Sequence, residues 1–322
     1  MAVRNVQGEL EKMSLLRDAS ETEASAALRK ALSDRVNVIV AKAAKIAADR
    51  QLRELTPDLL HAFDRLFDKP VDRDPQCWGK NAISKALVDL DHRDSAPYLR
   101  GIRHVQMEPV WGGQEDTAST LRGTCVLALA ACSDIRREDA LRELVDRMTD
   151  SAVPVRVEAA RAVAQMGGDE GPLLLRLKAR TGDEEPRVIG QVFDSLLQVE
   201  RDAGLAFVGE FLRSKDEAVR EEAALAMGAS RMPRAVELLR EAWENGREEV
   251  VLRAISASRL DEAFAFLLGL VRDGRRADAE AAIGALALHK ESPEIVAQLR
   301  SAAQDREPEI LALVGQALRP AR

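Results

Sequence analysis

The chain has 322 residues, of which 46% are hydrophobic and 31% are charged, and its formal net charge is −7. This hydrophobic content, spaced at helical intervals, disfavours intrinsic disorder, and the acidic balance disfavours a surface built to bind nucleic acid. No apolar run approaches the roughly 20 residues that span a bilayer, and the N-terminus lacks the apolar core of a secretory signal. We therefore expect a cytoplasmic protein without a membrane segment.

The chain begins with a polar lead-in, residues 1–18, which we expect to cap the first repeat. Residues 19–33 and 36–50 then form a predicted helical hairpin, where Ser20 and Glu23 offer a capping box. A second hairpin follows from Thr56. On the polar side of its second helix, around residues 78–90, lie four candidate binding residues: Lys80, Asn81, Ser84 and Lys85.

The third hairpin is interrupted by residues 106–116, QMEPVWGGQED. Pro109, Gly112 and Gly113 break helices, so this segment is predicted to be an inserted loop. Its apolar residues favour packing against the second and third hairpins, with the charged groups solvated or locally paired. Because loops on a rigid scaffold often carry function, a second interpretation is a binding site that includes Arg100, Arg103, His104, Glu108, Trp111 and Asp116.

Residues 150–167, DSAVPVRVEAARAVAQMG, show most clearly the unit that the chain repeats. Its apolar residues fall on one face of a helix. Asp150 or Ser151 caps the start, Pro154 suits the first turn, and Gly167 ends the helix. The residues at the end of the chain, 319–322, are expected to fray.

The same pattern recurs at intervals of 27 to 43 residues. Taking Val155 as the reference, the equivalent anchor residues are Ile39, Trp78, Leu121, Val188, Val219, Val250, Ala277 and Ile310. A second amphipathic segment, richer in Leu and Phe, precedes each anchor helix, so each repeat is a helical hairpin whose stacking builds a continuous core. We predict an all-α fold, an α-solenoid of about nine hairpins with essentially no sheet, over residues 19–318.

Three cysteines, Cys77, Cys125 and Cys132, lie at helix-core spacing. Their odd number and this spacing favour buried thiols over disulfides or metal ligands. No Gly-rich phosphate loop, catalytic triad order or metal-ligand spacing is found. The sequence therefore predicts no catalytic residue, no metal site and no cofactor.

An aspartate, then Val-Arg, then Ala-Ala recurs, as in Asp150, Val155-Arg156 and Ala159-Ala160. This pattern resembles the HEAT repeat, and the short spacing is similar to the bacterial PBS-lyase HEAT-like type. The resemblance implies a right-handed superhelix in which the Asp and Arg of each unit link neighbours. It marks Arg122, Arg156 and Arg220 as structural residues, although the other units carry no arginine at the position after the anchor.

The resemblance raises three possible functions, each of which implies characteristic residues. In deoxyhypusine hydroxylases, His-Glu pairs hold iron, but here the four histidines precede Ala62, Arg93, Val105 and Lys290. Nothing identifies the bilin pocket of a phycobilin lyase. A DNA-glycosylase-like groove would use Trp78, Trp111 and Asp116 with Arg100 and Arg103, against which the acidic total and the scarcity of aromatic residues argue.

The concave surface implied by this resemblance is mildly basic in the early units and acidic in the later ones. We predict a monomeric, non-enzymatic scaffold that binds a protein or peptide on this surface, near residues 78–90 and the 106–116 loop. The alternative is a metal-dependent or DNA-glycosylase-like enzyme centred on residues 100–122.

Overall fold

The computed structural model describes residues 4–319, which fold as two compact units that divide between Met166 and Gly167. Both units are built almost entirely from α-helices, as predicted. Residues 1–3 of the predicted lead-in and residues 320–322 of the predicted tail lie outside the described residues. A single continuous solenoid over residues 19–318 stays a prediction.

The first unit contains ten α-helices and one pair of strands. The helices are α1 (Val6–Ser14), α2 (Glu21–Leu32), α3 (Asn37–Asp49), α4 (Thr56–Arg65), α5 (Pro70–Arg73), α6 (Trp78–Asp89), α7 (Ser95–Ile102), α8 (Ser119–Leu129), α9 (Arg137–Arg147) and α10 (Val153–Met166). Short 3₁₀ turns follow α1 and precede α4 and α6.

The second unit contains ten further helices. They are α11 (Glu170–Thr181), α12 (Pro186–Glu200), α13 (Asp202–Glu210), α14 (Glu217–Ala229), α15 (Pro233–Gly246), α16 (Glu249–Ala257), α17 (Asp261–Asp273), α18 (Arg276–Leu286), α19 (Pro293–Ala303) and α20 (Pro308–Ala317). Several of these helices begin with proline, whose missing N–H costs nothing in the first turn.

Nine helical hairpins are present within residues 4–319, as predicted. Four lie in the first unit, where α3, α6, α8 and α10 are the second helices and pack side by side. Five lie in the second unit, where α12, α14, α16, α18 and α20 pack in the same way. In both units the small apolar residues of these second helices are buried, because close approach requires short side chains.

The structure corrects two of the predicted anchor residues. Trp78 is 54% exposed and Ala277 is exposed, whereas the next residues, Gly79 and Asp278, are buried. From these positions the buried residues of α6 and α18 fall at the same intervals as those of α10. The anchors at Leu121, Val155, Val188 and Val250 are buried as predicted, and Val219 is half-buried.

The inserted segment, predicted to be a loop in a chain with essentially no sheet, is an antiparallel hairpin. Strand β1 (Met107–Val110) pairs with β2 (Gly113–Asp116), with Met107 opposite Asp116 and Val110 opposite Gly113. A two-residue turn joins the strands, and its second residue, Gly112, has a φ of 90°, a conformation that glycine adopts without a Cβ clash.

None of the helices within residues 4–319 is both long and apolar enough to cross a membrane.

Candidate functional site

A groove of about 780 Å³ lies in the first unit on the exposed faces of α3, α6 and α8, with α1 as one wall. Its lining includes Leu10, Val38, Lys42, Lys45, Trp78, Asn81, Ala82, Lys85, Thr120 and Thr124. A concave surface of this size falls within the range of ligand-binding clefts in proteins.

The repeat places these side chains in rows. Counted from the anchors Ile39, Gly79 and Leu121, the residue before each anchor lines the groove: Val38, Trp78 and Thr120. The residues three positions after the anchors, Lys42, Ala82 and Thr124, also line the groove. Lys45 and Lys85, six positions after Ile39 and Gly79, line it as well. Such spacing puts residues on one face of a helix, so neighbouring helices present matching rungs.

Trp78 is the largest side chain exposed on the groove floor. We predicted it to be a core anchor, but 54% of its surface is accessible. The buried position in α6 belongs to Gly79, where an added Cβ would lie 2.6 Å from Leu66 Cδ1. The bulky indole therefore projects from the neighbouring position into the groove.

Three lysines share the groove with Trp78. Lys42 is half-buried, whereas Lys45 and Lys85 are exposed, and among residues 4–319 no carboxylate lies within ion-pair distance of any of them. Acidic groups lie on the wall and at the helix ends, where Glu11 accepts a hydrogen bond from Gln7 and Asp49 pairs with Arg17. The groove is thus lined by three lysines on the floor and by three carboxylates, Glu11, Asp49 and Asp89, on the wall and at the helix ends.

Asn81 also faces the groove. Its side-chain oxygen is buried and accepts no hydrogen bond from any described residue. A buried acceptor without a donor carries a desolvation cost of about 1–3 kcal/mol. Because this atom is shielded from solvent, a ligand N–H would reach it only after the half-buried side chain rotates.

Two of the predicted binding residues on α6 are buried instead, which corrects the prediction. Ser84 is 1% exposed, and Lys80 is wholly buried, with its ammonium 2.9 Å from Asp74 Oδ2 and 3.2 Å from Leu66 O. Asp74 also accepts hydrogen bonds from Asn37 Nδ2 and from the backbone of Gly79 and Lys80. Lys80 follows the corrected anchor Gly79, so it occupies the position of Arg122 in the next repeat.

Glu108, predicted to be a surface residue of the loop, is also buried. Its carboxylate accepts hydrogen bonds from Gln76 N, Gln106 Nε2 and Thr117 Oγ1, all within 2.6–2.7 Å. Burial raises the pKa of Glu108, but these three hydrogen bonds together outweigh burial and hold it below its usual range. The side chain fastens β1 to the start of α6.

Asp116 and Arg122 belong to the structural framework as well. The Arg122 guanidinium, 1% exposed, pairs with Asp116 at 2.6 Å and with Asp150 at 2.9 Å, and it donates to His104 O at 3.1 Å. Arg122 therefore has the linking role that the resemblance implied. Arg156 donates to the backbone oxygens of Asp150 and Ser151.

Of the remaining predicted residues near the hairpin, Arg100 and His104 both contact Phe67, whereas Arg103 lies against α9. Arg100 pairs with Asp64 and lies over the Phe67 ring, and Arg103 pairs with Glu143. The His104 ring packs edge-on against Phe67, and burial lowers its pKa. Only Asn81 and Lys85, of the ten predicted binding residues, meet in the groove.

Trp111 differs most from the expected packing. Its side chain is fully exposed at the tip of the β-hairpin, and Met107 and Val110 are also exposed. The hairpin holds itself by its own strand pairing and by Glu108, so its tip does not pack on the second and third hairpins.

Two cysteines are buried and the third is half-buried, and all three are free. Burial raises the pKa of Cys77 to about 12 and that of Cys132 to about 11. The prediction of buried thiols is thus confirmed for Cys77 and Cys125. Within residues 4–319, His, Cys, Asp and Glu side chains form no cluster that could hold a metal ion.

A sequence profile described as HEAT repeats matches residues 172–259. This stretch of the second unit is therefore similar to HEAT repeats. The matched stretch includes Arg220, which donates to Glu248 Oε1 at 2.8 Å and to Ser214 O at 2.9 Å. This arginine joins its own hairpin to the next one in the second unit.

Several solved structures align with the chain at low sequence identity. YibA of E. coli aligns with a TM-score of 0.44 and 15% identity over 91% of this chain and 99% of that one. Human deoxyhypusine hydroxylase in complex with glycerol aligns with a TM-score of 0.30 and 19% identity over 79% and 90%. An engineered protein aligns at 0.35 and 14% identity over 96% and 93%. Among curated proteins, none matches the sequence.

Proposed function

We propose that this chain is a protein-interaction scaffold and that the groove on α3, α6 and α8 binds a peptide or protein segment. The observation that carries the proposal is Trp78, a tryptophan half exposed on the floor of a preformed groove. Tryptophan is enriched among the residues that dominate binding energies at interfaces, because it buries a large area with few rotatable bonds.

The second predicted contact region, the 106–116 segment, is less suited to this role. Its buried Glu108 accepts hydrogen bonds from Gln106 and Thr117, and its half-buried Asp116 pairs with the buried Arg122. Such groups stabilise the fold, and recruiting them for a ligand would first require breaking hydrogen bonds that satisfy buried charges. The groove needs no such rearrangement, since its lysines and its tryptophan are already available.

Site-directed photocrosslinking tests the proposal. A benzophenone amino acid replaces the exposed Thr120 on the groove, or, as the control, the exposed Leu177 on α11. We expect irradiation in cells to give discrete adducts from position 120 that are absent from position 177. The adducts should disappear when Trp78→Ser is introduced into the position 120 variant, with the helical circular dichroism unchanged.

Identical adducts from both positions, or adducts that persist with Trp78→Ser, would contradict the proposal. In either case the contact would not depend on the groove.

A further inference from the structure

The chemistry of the groove goes beyond a general scaffold and indicates what kind of segment it accepts. We propose that the groove binds an acidic peptide segment, in extended conformation, that crosses α3, α6 and α8 with an apolar side chain against Trp78. This inference rests on the proposed function and specifies its ligand.

The lysines of the groove favour an acidic ligand. Lys42, Lys45 and Lys85 face the groove, and none of them has a carboxylate partner among the described residues. Most other cations on α2 to α10 are paired: Arg29 with Asp58, for example, and Arg161 with Glu158. Glu11, Asp49 and Asp89 also line the groove, but the three ammonium groups lack ion-pair partners, so each is free to pair with a carboxylate of the ligand.

The Asn81 side chain offers an acceptor for a backbone N–H of a bound peptide. Asn81 lies on α6, the middle helix of the three, with its side-chain oxygen buried and without a donor among residues 4–319. An extended peptide presents a free N–H at every second residue to one side. Rotation of the half-buried Asn81 side chain would bring the shielded oxygen to one such N–H, whereas a helical ligand has already used its N–H groups internally.

The lining residues of neighbouring helices are arranged in rows. Lys45 and Lys85 occupy the same register position on neighbouring helices, and Val38, Trp78 and Thr120 form the row at the other end. Packed helices lie about 8–10 Å apart, so crossing from α3 to α8 covers roughly 16–20 Å, or about six residues at about 3.3 Å each. Val38 and Trp78 suit apolar side chains of the ligand, and Lys45 and Lys85 suit acidic ones. A segment in which apolar and acidic residues alternate would therefore contact both rows.

A nucleic acid is the competing polyanion, and the structure favours it less. Affinity for a phosphate backbone grows with the number of phosphates that Lys and Arg neutralise, and the groove offers three lysines. Glu11 on the wall, and Asp49 and Asp89 at the helix ends, would repel a continuous row of phosphates. A peptide can place its few carboxylates by the lysines and its neutral residues by these acidic groups.

Selection from a phage-displayed library of random 12-residue peptides tests the inference. Peptides are selected on the immobilised full chain, and those that also bind a Trp78→Ser variant are discarded. We expect the retained peptides to be enriched in Asp and Glu around one apolar residue. Fluorescein-labelled synthetic copies of the most enriched peptides should then bind in an anisotropy titration, with an affinity that falls as salt rises.

Three variants separate the contributions. Lys45→Glu/Lys85→Glu should weaken these peptides at least tenfold, and Lys45→Arg/Lys85→Arg should retain them. Lys12→Glu/Lys30→Glu makes the same change in net charge at exposed lysines outside the groove, and it should change the affinity less than threefold. Asn81→Ala should lower the affinity while leaving its salt dependence unchanged, as expected for a hydrogen bond to the backbone.

The outcomes distinguish this inference from the proposed function. Retained peptides that are neutral or basic would overturn the acidic assignment and leave the scaffold proposal standing. If no peptide depends on Trp78, both are wrong. If a 20-nucleotide oligo-dT displaces the labelled peptides at equal or lower concentration than the unlabelled peptide, the groove binds nucleic acid and the peptide assignment is overturned.

Discussion

Arg122 and Asp150 are joined by two parallel hydrogen bonds, from Nε to Oδ2 at 3.0 Å and from Nη2 to Oδ1 at 2.9 Å. The same carboxylate accepts from Ala152 N at 2.9 Å, so it also caps the start of α10. Because the guanidinium is 1% exposed, this fork connects two successive hairpins through the interior of the first unit.

Replacing Arg122 by Met should therefore be costly. Removing one partner of a buried ion pair leaves an uncompensated charge, and we expect the free energy of unfolding to fall by about 3–5 kcal/mol. Urea denaturation followed by circular dichroism measures it. Arg220→Met is the matched variant, because Arg220 has the same repeat position but pairs with Glu248 through half-exposed side chains. Its loss should be about 1 kcal/mol, and equal losses would contradict this interpretation.

Asp150 should also contribute to acid sensitivity. Burial raises the pKa of Asp150, but the hydrogen bonds from Arg122 and Ala152 N outweigh burial and hold it below its ordinary value. A depressed pKa stabilises the folded state above the unfolded pKa of about 3.9, and that stability is lost as the pH falls through the folded value. Between pH 5 and pH 2, Asp150→Asn should lose less stability than the wild type does. Parallel titrations of both proteins would contradict this prediction.

Asp74 and Lys80 form a second buried pair, which a double-mutant cycle can test. Asp74→Ala removes the carboxylate from a wholly buried ammonium and from two backbone N–H groups, so we expect a loss of about 3–5 kcal/mol. Lys80→Met should cost less, since Asp74 keeps its N–H donors. The double variant should lose less than the sum of the single losses, and additivity would indicate that the two side chains do not interact.

Gly228 tests the close packing of α14 against α16. Glycine-to-alanine changes inside a helix usually add about 1 kcal/mol of stability. At Gly228 an added Cβ would lie 2.2 Å from Ala254 O, so Gly228→Ala should destabilise the protein. At Gly284 on α18 no atom lies within 4 Å of an added Cβ, and Gly284→Ala should stabilise. Thermal unfolding midpoints that shift in the same direction would contradict this packing.

Glu222 should destabilise the fold at neutral pH. Burial raises its pKa, and the nearby charges of Asp194 and Glu221 raise it further. A raised pKa stabilises the folded state below the unfolded value of about 4.3, and this contribution is lost as the pH rises through the folded value. Glu222→Gln should therefore raise the thermal midpoint at pH 7 and change it little at pH 4. The exposed Glu237 on α15 provides the control, Glu237→Gln, which should leave both midpoints unchanged.

The sequence was sufficient to predict the helical hairpins. Small residues at Ala159 and Ala160, and their equivalents in other repeats, recur at helical spacing, and this local pattern survives folding because each hairpin packs mainly on its neighbours. Periodicity placed the second helices correctly in all nine hairpins. It failed by one residue at Trp78 and Ala277, where a small or polar residue fills the buried position that an apolar residue was expected to hold.

The candidate site was only partly predictable. Asn81 and Lys85 line the groove, and both were predicted as binding residues from the polar side of their helix. Trp78 was missed because an aromatic residue at an apolar position looks like core. The adjacent Gly79 was the available signal, since a glycine in mid-pattern indicates a close approach that excludes a large side chain.

The sequence by itself determined the fold class and the number of hairpins, because both depend on a pattern repeated along the chain, while the linking role of Arg122 was implied by the family resemblance. The tertiary structure alone decided which polar groups are available to a partner. Lys80 and Lys85 are both lysines on the polar side of one helix, yet one is buried against Asp74 and the other faces the groove. The difference depends on which neighbouring helix covers each position, and local sequence does not record it.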